Sequence, residues 1–165
     1  MIRKTMGCFL FALVLLFSAC GKNNTTQLVS MYDLRVAMEA ADDSLPELLN
    51  INSAEDGAKD KFTQHICEMD YDKVAGFFVS YAAEGGLADE IVVVAVKDAS
   101  DVKEVKELLE KHKENRYHLL EQYEPKEVKR VSDGLVFTDG NYAVLIICDR
   151  ADAVKKAFSD VVHKE

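Results

Sequence analysis

Two apolar runs, one within residues 90–97 and the other within residues 142–148, constrain the fold more than any other feature of the chain. Rich in valine and isoleucine, both read as strands buried in a sheet. Each follows a turn signal, Gly85-Gly86 in the first case and Asp139-Gly140 in the second. Ahead of the first turn, Phe77, Val79 and Tyr81 alternate with Phe78, Ser80 and Ala82, the period of a strand. Ahead of the second stands Leu135-Val136-Phe137-Thr138, and Asp-Gly suits the two positive φ values of a type I′ hairpin turn. An aspartate follows each run, Asp98 and Asp149, and an amphipathic segment comes next. Residues 90–98 overlay residues 141–149 without a gap, and residues 102–105 match 154–157 after a one-residue step. The pattern predicts a ββα unit used twice. The expected fold class is therefore α+β, a four-stranded antiparallel sheet with helices packed on one face, plus N-terminal helical segments.

The helical segments are read from their period. Ser30 can cap a helix carrying Met31, Leu34, Met38 and Ala41 on one side, which ends at Asp42-Asp43-Ser44-Leu45-Pro46. A polar loop over residues 52–61 is expected next, then a short helical segment with Phe62, Ile66 and Met69. Ser100 offers an N-cap, with Asp101 well placed for the helix dipole, to a long helix that runs to about Gln122 with the stripe Val102, Val105, Leu108, Leu109, His112, Leu119, Leu120 and Tyr123. Its other face, from Lys103 to Glu114, is charged and reads as solvated, with Glu107 and Lys111 in the favourable four-residue order. Pro125 closes it. The last helix carries Ala151, Val154, Phe158 and Val161, and is expected on the same side of the sheet as the long one.

The N-terminus carries an address. Residues 1–4 are short and basic, and residues 6–17 are apolar apart from Gly7 and Cys8, the n- and h-regions of a signal peptide. The run offers roughly 12 to 14 residues, whereas crossing ~30 Å of hydrocarbon takes about 20. Ser18-Ala19-Cys20 then resembles a bacterial lipobox, in which small residues precede a cysteine that receives diacylglycerol before cleavage. The aromatic Phe17 departs from the aliphatic residue usual there. The predicted division is signal peptide 1–19, lipidated Cys20 with a flexible tether to residue 30, and a single domain over 31–165. The expected location is the extracytoplasmic face of the cell membrane.

Loss of Arg3 and Lys4 with the signal takes the formal charge from −9 to −11. Such a chain repels phosphate backbones, so no nucleic-acid partner is expected. The mature chain keeps Cys67 and Cys148, which could form a disulfide in an oxidising compartment, although Cys148 ends an apolar run where a free cysteine acts as a small hydrophobe.

Motifs for chemistry are sparse. His65 and Cys67 lack the second close pair of a zinc site. His112 and His118 lie about 240° apart around one helix and face different ways. Ser80, Ser100 and Ser132 have no glycine-framed nucleophile elbow. The acid pairs Asp42-Asp43 and Asp149 with Asp152 read as caps and solubilising groups at helix ends. No catalytic residue, cofactor or metal is assigned.

From about residue 89 to residue 162 the sequence resembles the bacterial lipoprotein family called domain of unknown function 4358. The matching features are Asp89-Glu90-Ile91 opening a strand, the long charged helix, Tyr123 and Pro125 after it, and Gly140-Asn141-Tyr142 leading into the next strand. Residues 62–74, with Tyr71-Asp72, are similar in pattern. The resemblance implies an envelope lipoprotein and transfers no catalytic residue. The expected function is a membrane-tethered noncatalytic module, anchored through lipid on Cys20, that meets an envelope protein, a peptide or a small ligand through an open sheet face or a sheet edge. The alternative is a cell-envelope enzyme, such as a hydrolase, with its site in the loops.

Overall fold

The computed structural model describes residues 29–164, so the expected signal segment, Cys20 and most of the tether lie outside the described residues. The chain runs α1 (Met31–Glu39), β1 (Leu48–Asn52), α2 (Ala58–His65), β2 (Val74–Ala82), β3 (Glu90–Val96), α3 (Val102–Tyr123), α4 (Val128–Asp133), β4 (Leu135–Asp139), β5 (Tyr142–Ile147) and α5 (Ala151–Val162). The strands form one antiparallel sheet in the order β1-β2-β3-β5-β4. The sheet has five strands, not the four expected. The extra one is β1, which begins in Leu48-Leu49 and pairs with β2 from Leu48↔Ala82 to Asn52↔Phe78.

The two expected hairpins form, and they join along β3 and β5, where Val93 pairs with Val144. All seven residues of β3 and all six of β5 are buried. A strand that is apolar on both sides needs cover on both sides. Accordingly, the expectation of helices on one face is wrong. Phe77, Val79, Val92, Val94, Leu145 and Ile147 pack under Phe62 of α2, Val105 and Leu109 of α3, and Val131 of α4. On the opposite side, Phe78, Ile91, Val93, Val144 and Ile146 pack under Leu34 and Met38 of α1 and Val154 and Phe158 of α5. The long helix and the last helix thus lie on opposite faces, and the internal repeat holds for the hairpins but not for the helices that follow them. Aromatic contacts close both layers, Phe62 against Phe77 at 4.9 Å on one side and Phe158 against Tyr142 at 5.7 Å on the other. Burying each such ring contributes about 1.5–3 kcal/mol.

Local signals explain most element ends. Ser30 accepts a hydrogen bond from the Asp33 N–H and caps α1. Asp98 accepts from the Ser100 N–H in a 3-10 turn over Ala99–Asp101, so Ser100 is not the cap and α3 starts at Val102 behind Asp101. α3 stops at Tyr123, ahead of Pro125. Its charged face is solvated as expected, but the ion pairs along it are Lys103–Glu107 and Lys106–Glu110, not the expected Glu107 with Lys111, and Leu119 and Tyr123 of the apolar stripe are exposed. α2 occupies the second half of the expected polar loop and ends before Ile66 and Met69. The β4–β5 turn is centred on Gly140 and Asn141 instead of Asp139 and Gly140. Only Gly140 in it has positive φ, at 53°, so it is not type I′, and glycine in the first central position is the type II′ pattern.

Candidate functional site

The polar groups of the interior converge on three consecutive residues at the entry to β3, Ala88, Asp89 and Glu90. Glu90 continues the row Val92, Val94 and Val96, so its side chain points into the layer beneath α2 and α3. It is fully buried. Its Oε1 lies 3.2 Å from Nε2 of His65, at the end of α2, and 3.1 Å from Nε2 of His112, in the middle of α3. His112 also lies 3.1 Å from Oε2. One turn further along α3, Arg116 brings Nε to 3.0 Å from Oε2 as an ion pair whose N–H is not aligned for a hydrogen bond. The other end of that guanidinium donates to the carbonyl of Ala88 at 3.2 Å. Tyr81, paired with Glu90 across β2 and β3, covers the His65 ring at 4.4 Å.

Burial by itself would push the Glu90 pKa up. The hydrogen bonds from His112 and His65, with the charges of His112 and Arg116, outweigh it and bring the carboxyl down to about 2. Glu90 is therefore ionised at neutral pH, and an ionised carboxylate can only accept. Both histidines must carry a hydrogen on Nε2.

A second knot lies beside the first. Arg130 of α4 donates to Asp89 at 2.8 Å, to Glu127 at 2.7 Å and to Asp149, after β5, at 3.0 Å. Glu127 also accepts the Ala88 N–H at 3.2 Å. Burial leaves the Asp89 carboxyl above its ordinary value despite Arg130. Together the two knots fix α2, α3 and α4 to the start of one central strand.

The remaining residues singled out by sequence are dispersed. Asp42 is buried and accepts from the Ser44 N–H, the Ser44 hydroxyl and the Arg150 N–H, while Asp43 pairs with the Arg150 side chain, so this acid pair joins the end of α1 to the start of α5. Asp149 pairs with Arg130 and Asp152 is exposed. Ser80 is buried and donates to Glu39 at 2.6 Å, whereas Ser100 and Ser132 are exposed and belong to other parts of the molecule. His118 is exposed on α3. Cys67 and Cys148 are free and belong to opposite faces of the sheet, which separates them. Among the described residues no three histidine, cysteine, aspartate or glutamate side chains stand in metal-holding geometry. Nor is any helix there long and apolar enough to cross a membrane.

Two surface cavities flank α3. One, of about 410 Å³, lies between the end of α2 and α3 and is lined by Cys67, Leu108, Lys111 and His112 among others. His112 backed by Glu90 and facing a cavity with a thiol is the arrangement nearest to a nucleophile and base. However, burial and Glu104 push the Cys67 thiol up to about 11, the opposite of activation. The other, of about 550 Å³, lies between α3 and β4, with Tyr117 and Val136 in its lining and Glu110, Glu114 and His118 around them.

Glu90 was missed by sequence reasoning, which took it only as the opening residue of a strand. Two signals were present. Glu90 falls on the inward-facing alternation of an otherwise apolar strand, and His112 falls on the apolar stripe of a helix. A polar residue in each of two apolar patterns is the sign of a buried pair.

The fold and its interior define a class, a five-stranded antiparallel sheet closed by helices on both faces and tied through a buried carboxylate at the centre. The family model described as domain of unknown function (DUF4358) matches residues 49–148, and the chain belongs to that family. The matched stretch holds almost the whole sheet, with α2, α3 and α4, and stops at Cys148, before α5. No curated protein and no solved structure matches the chain.

Proposed function

We propose that this is a lipid-anchored extracytoplasmic protein whose domain serves as a noncatalytic interaction module. The anchor reading rests on the basic start, the apolar run and Ser18-Ala19-Cys20. A diacylglycerol on Cys20 supplies two chains, enough for stable attachment. The observation that carries the noncatalytic reading is the state of Glu90. The most strongly perturbed acid of the domain is sealed from solvent and fully engaged by His65, His112 and Arg116, so it serves the fold and not a substrate. With both sheet faces covered, a partner would meet a sheet edge or the outer surface of the helices, such as the surface beside α3.

Replacing Cys20 with alanine is expected to release the protein from membranes, read by fractionation and by mass spectrometry of the N-terminus. A variant that stays on the membrane as firmly as the original, with an uncut N-terminus, refutes the anchor. Crosslinking on intact membranes followed by capture is expected to recover a partner. Turnover of a substrate from a hydrolase panel, abolished by His112→Ala in a variant that still folds, refutes the noncatalytic reading in favour of an envelope enzyme.

A further inference from the structure

The sheet has two edges, and they differ in what stands beside them. β4 is five residues long, Leu-Val-Phe-Thr-Asp, and has no lysine, proline or bulge of the kind that guards an edge. It pairs only with β5. In an antiparallel ladder alternate residues turn their N–H and C=O outward, so on β4 these groups have no strand partner among the described residues. Next to this free edge runs the cavity of about 550 Å³ under α3. Its apolar part is Val136 of β4 and Tyr117 of α3, and its rim carries Glu114, with His118 beside it, and Glu110, which is paired with Lys106. Lys113, the lysine in the lining, is committed to the carbonyls of Ser132 and Gly134 and braces the start of the strand. The other side of β4 differs in charge. There Phe137 packs on Phe158, and the Lys155 ammonium sits 4.8 Å from the Phe137 ring centre.

We infer that the outer edge of β4 and the groove between it and α3 form a docking site for an extended, lysine- or arginine-bearing segment of a partner protein, added as a sixth strand. The inference rests on the interaction-module reading and gives that partner its chemistry. Main-chain bonds to the free edge supply affinity, and alternate side chains supply selection. On the α3 side, long basic side chains lay their methylene stems along Val136 and Tyr117 and bring their charges to Glu114, and to Glu110 alongside Lys106. On the α5 side, Lys155 repels a second row of cations, so small apolar residues fit there. The two sides thus favour a basic and apolar alternation and fix its register. The net charge of the chain acts in the same direction at longer range.

The test uses the full chain in detergent and a fluorescein-labelled peptide of alternating lysine and valine, with binding read by anisotropy and the edge read by amide exchange. Binding is expected, with slowed exchange of the outward-facing β4 amides. A glutamate-valine peptide is expected not to bind, and neither is the lysine-valine peptide carrying N-methyl groups on the residues that face the edge. Glu110→Lys with Glu114→Lys, both at exposed positions, is expected to weaken binding about tenfold or more, whereas Lys103→Glu at the far end of α3 is expected not to. Because the peptide itself is varied, the result does not depend on a protein variant folding. Peptide binding without β4 protection, binding that survives N-methylation, or protection appearing on β1 overturns the site. So does β4 protection that rises with protein concentration in the absence of peptide, which would make the occupant a second copy. If the peptide fails while a membrane partner is captured and maps elsewhere on the domain, the edge assignment falls and the interaction-module reading stands. Substrate turnover lost with His112→Ala would remove that reading as well.

Discussion

Glu90→Gln removes one charge and almost no volume, and so isolates what the buried carboxylate does. Two routes give its size. The displacement of the Glu90 carboxyl from an ordinary 4.5 to about 2 corresponds to about 3 kcal/mol in favour of the charged form in the folded protein. Breaking a buried ion pair from one side costs about 3–5 kcal/mol, because the surviving charge is left uncompensated. Here that charge is Arg116, whose Nε already lacks an aligned acceptor. The glutamine amide would also turn donors toward His65, His112 or Arg116, which are themselves donors there. A loss of about 3 kcal/mol at pH 7 is expected, measured by urea unfolding in the Cys20→Ala background. The pH dependence carries the sign. The folded pKa lies below the unfolded one, so the contribution is complete above about 4.5 and fades as pH falls toward about 2. The gap between original and variant should therefore close across that interval. A variant within ~0.5 kcal/mol at pH 7, or a gap that stays constant down to the acid limit, refutes the account of Glu90 as an ionised tie.

Three further expectations come from packing and burial. Val144→Ala in the centre of β5 should cost about 1–3 kcal/mol at nearly unchanged urea slope, against no more than ~0.5 kcal/mol for Glu110→Ala on α3; the reverse order would invert the assignment of inside and outside. Gly134→Ala should destabilise by about 1–3 kcal/mol, since the new Cβ would lie 2.9 Å from Ile147 Cγ1 and 3.0 Å from the Ile146 carbonyl, and an unchanged melting temperature would show that the α4–β4 junction yields easily. Burial pushes the Cys148 thiol up to about 12 and Cys67 to about 11, so alkylation at pH 8 should be slow at half-buried Cys67 and slower still at Cys148 until urea unfolds the domain. Rapid modification of Cys148 in the folded protein would contradict its place in the core.

Both hairpins were legible because the apolar runs are long and β-branched and the glycines stand where a turn needs them. The long helix was legible from its period and from Pro125. β1 was not, since Leu48-Leu49-Asn50-Ile51-Asn52 is short, half-polar and held mainly by β2. The side of the sheet taken by α5 was lost for a different reason. Matching Val154 to Val102 compares helix sequences, whereas the face is set by the link from the strand, and the link after β3 contains a 3-10 turn that the link after β5 lacks. The uninterrupted burial of β3 already demanded two covers, and that inference was available from Ile91, Val92, Val93 and Val94 alone. The Glu90 cluster escaped because its members are 25 and 22 residues apart along the chain and meet only through the packing of α2 and α3 on the sheet.

The face closed by α1 and α5 has a temporal side. One of its helices precedes the five strands of the sheet and the other follows them, and the two touch each other side by side on that face. During synthesis the first must wait, without its neighbour, for all five strands and for the very last helix to appear. Until then Phe78, Ile91, Val93, Val144 and Ile146 have half a roof. The Asp42 carboxylate that receives the Arg150 N–H acts as the closing clasp, set only when the tail has arrived. A chain stopped just after β5 could assemble the side under α3 and still display a stripe of aliphatic side chains, an exposed mark by which proteases and chaperones tell an unfinished copy from a finished one.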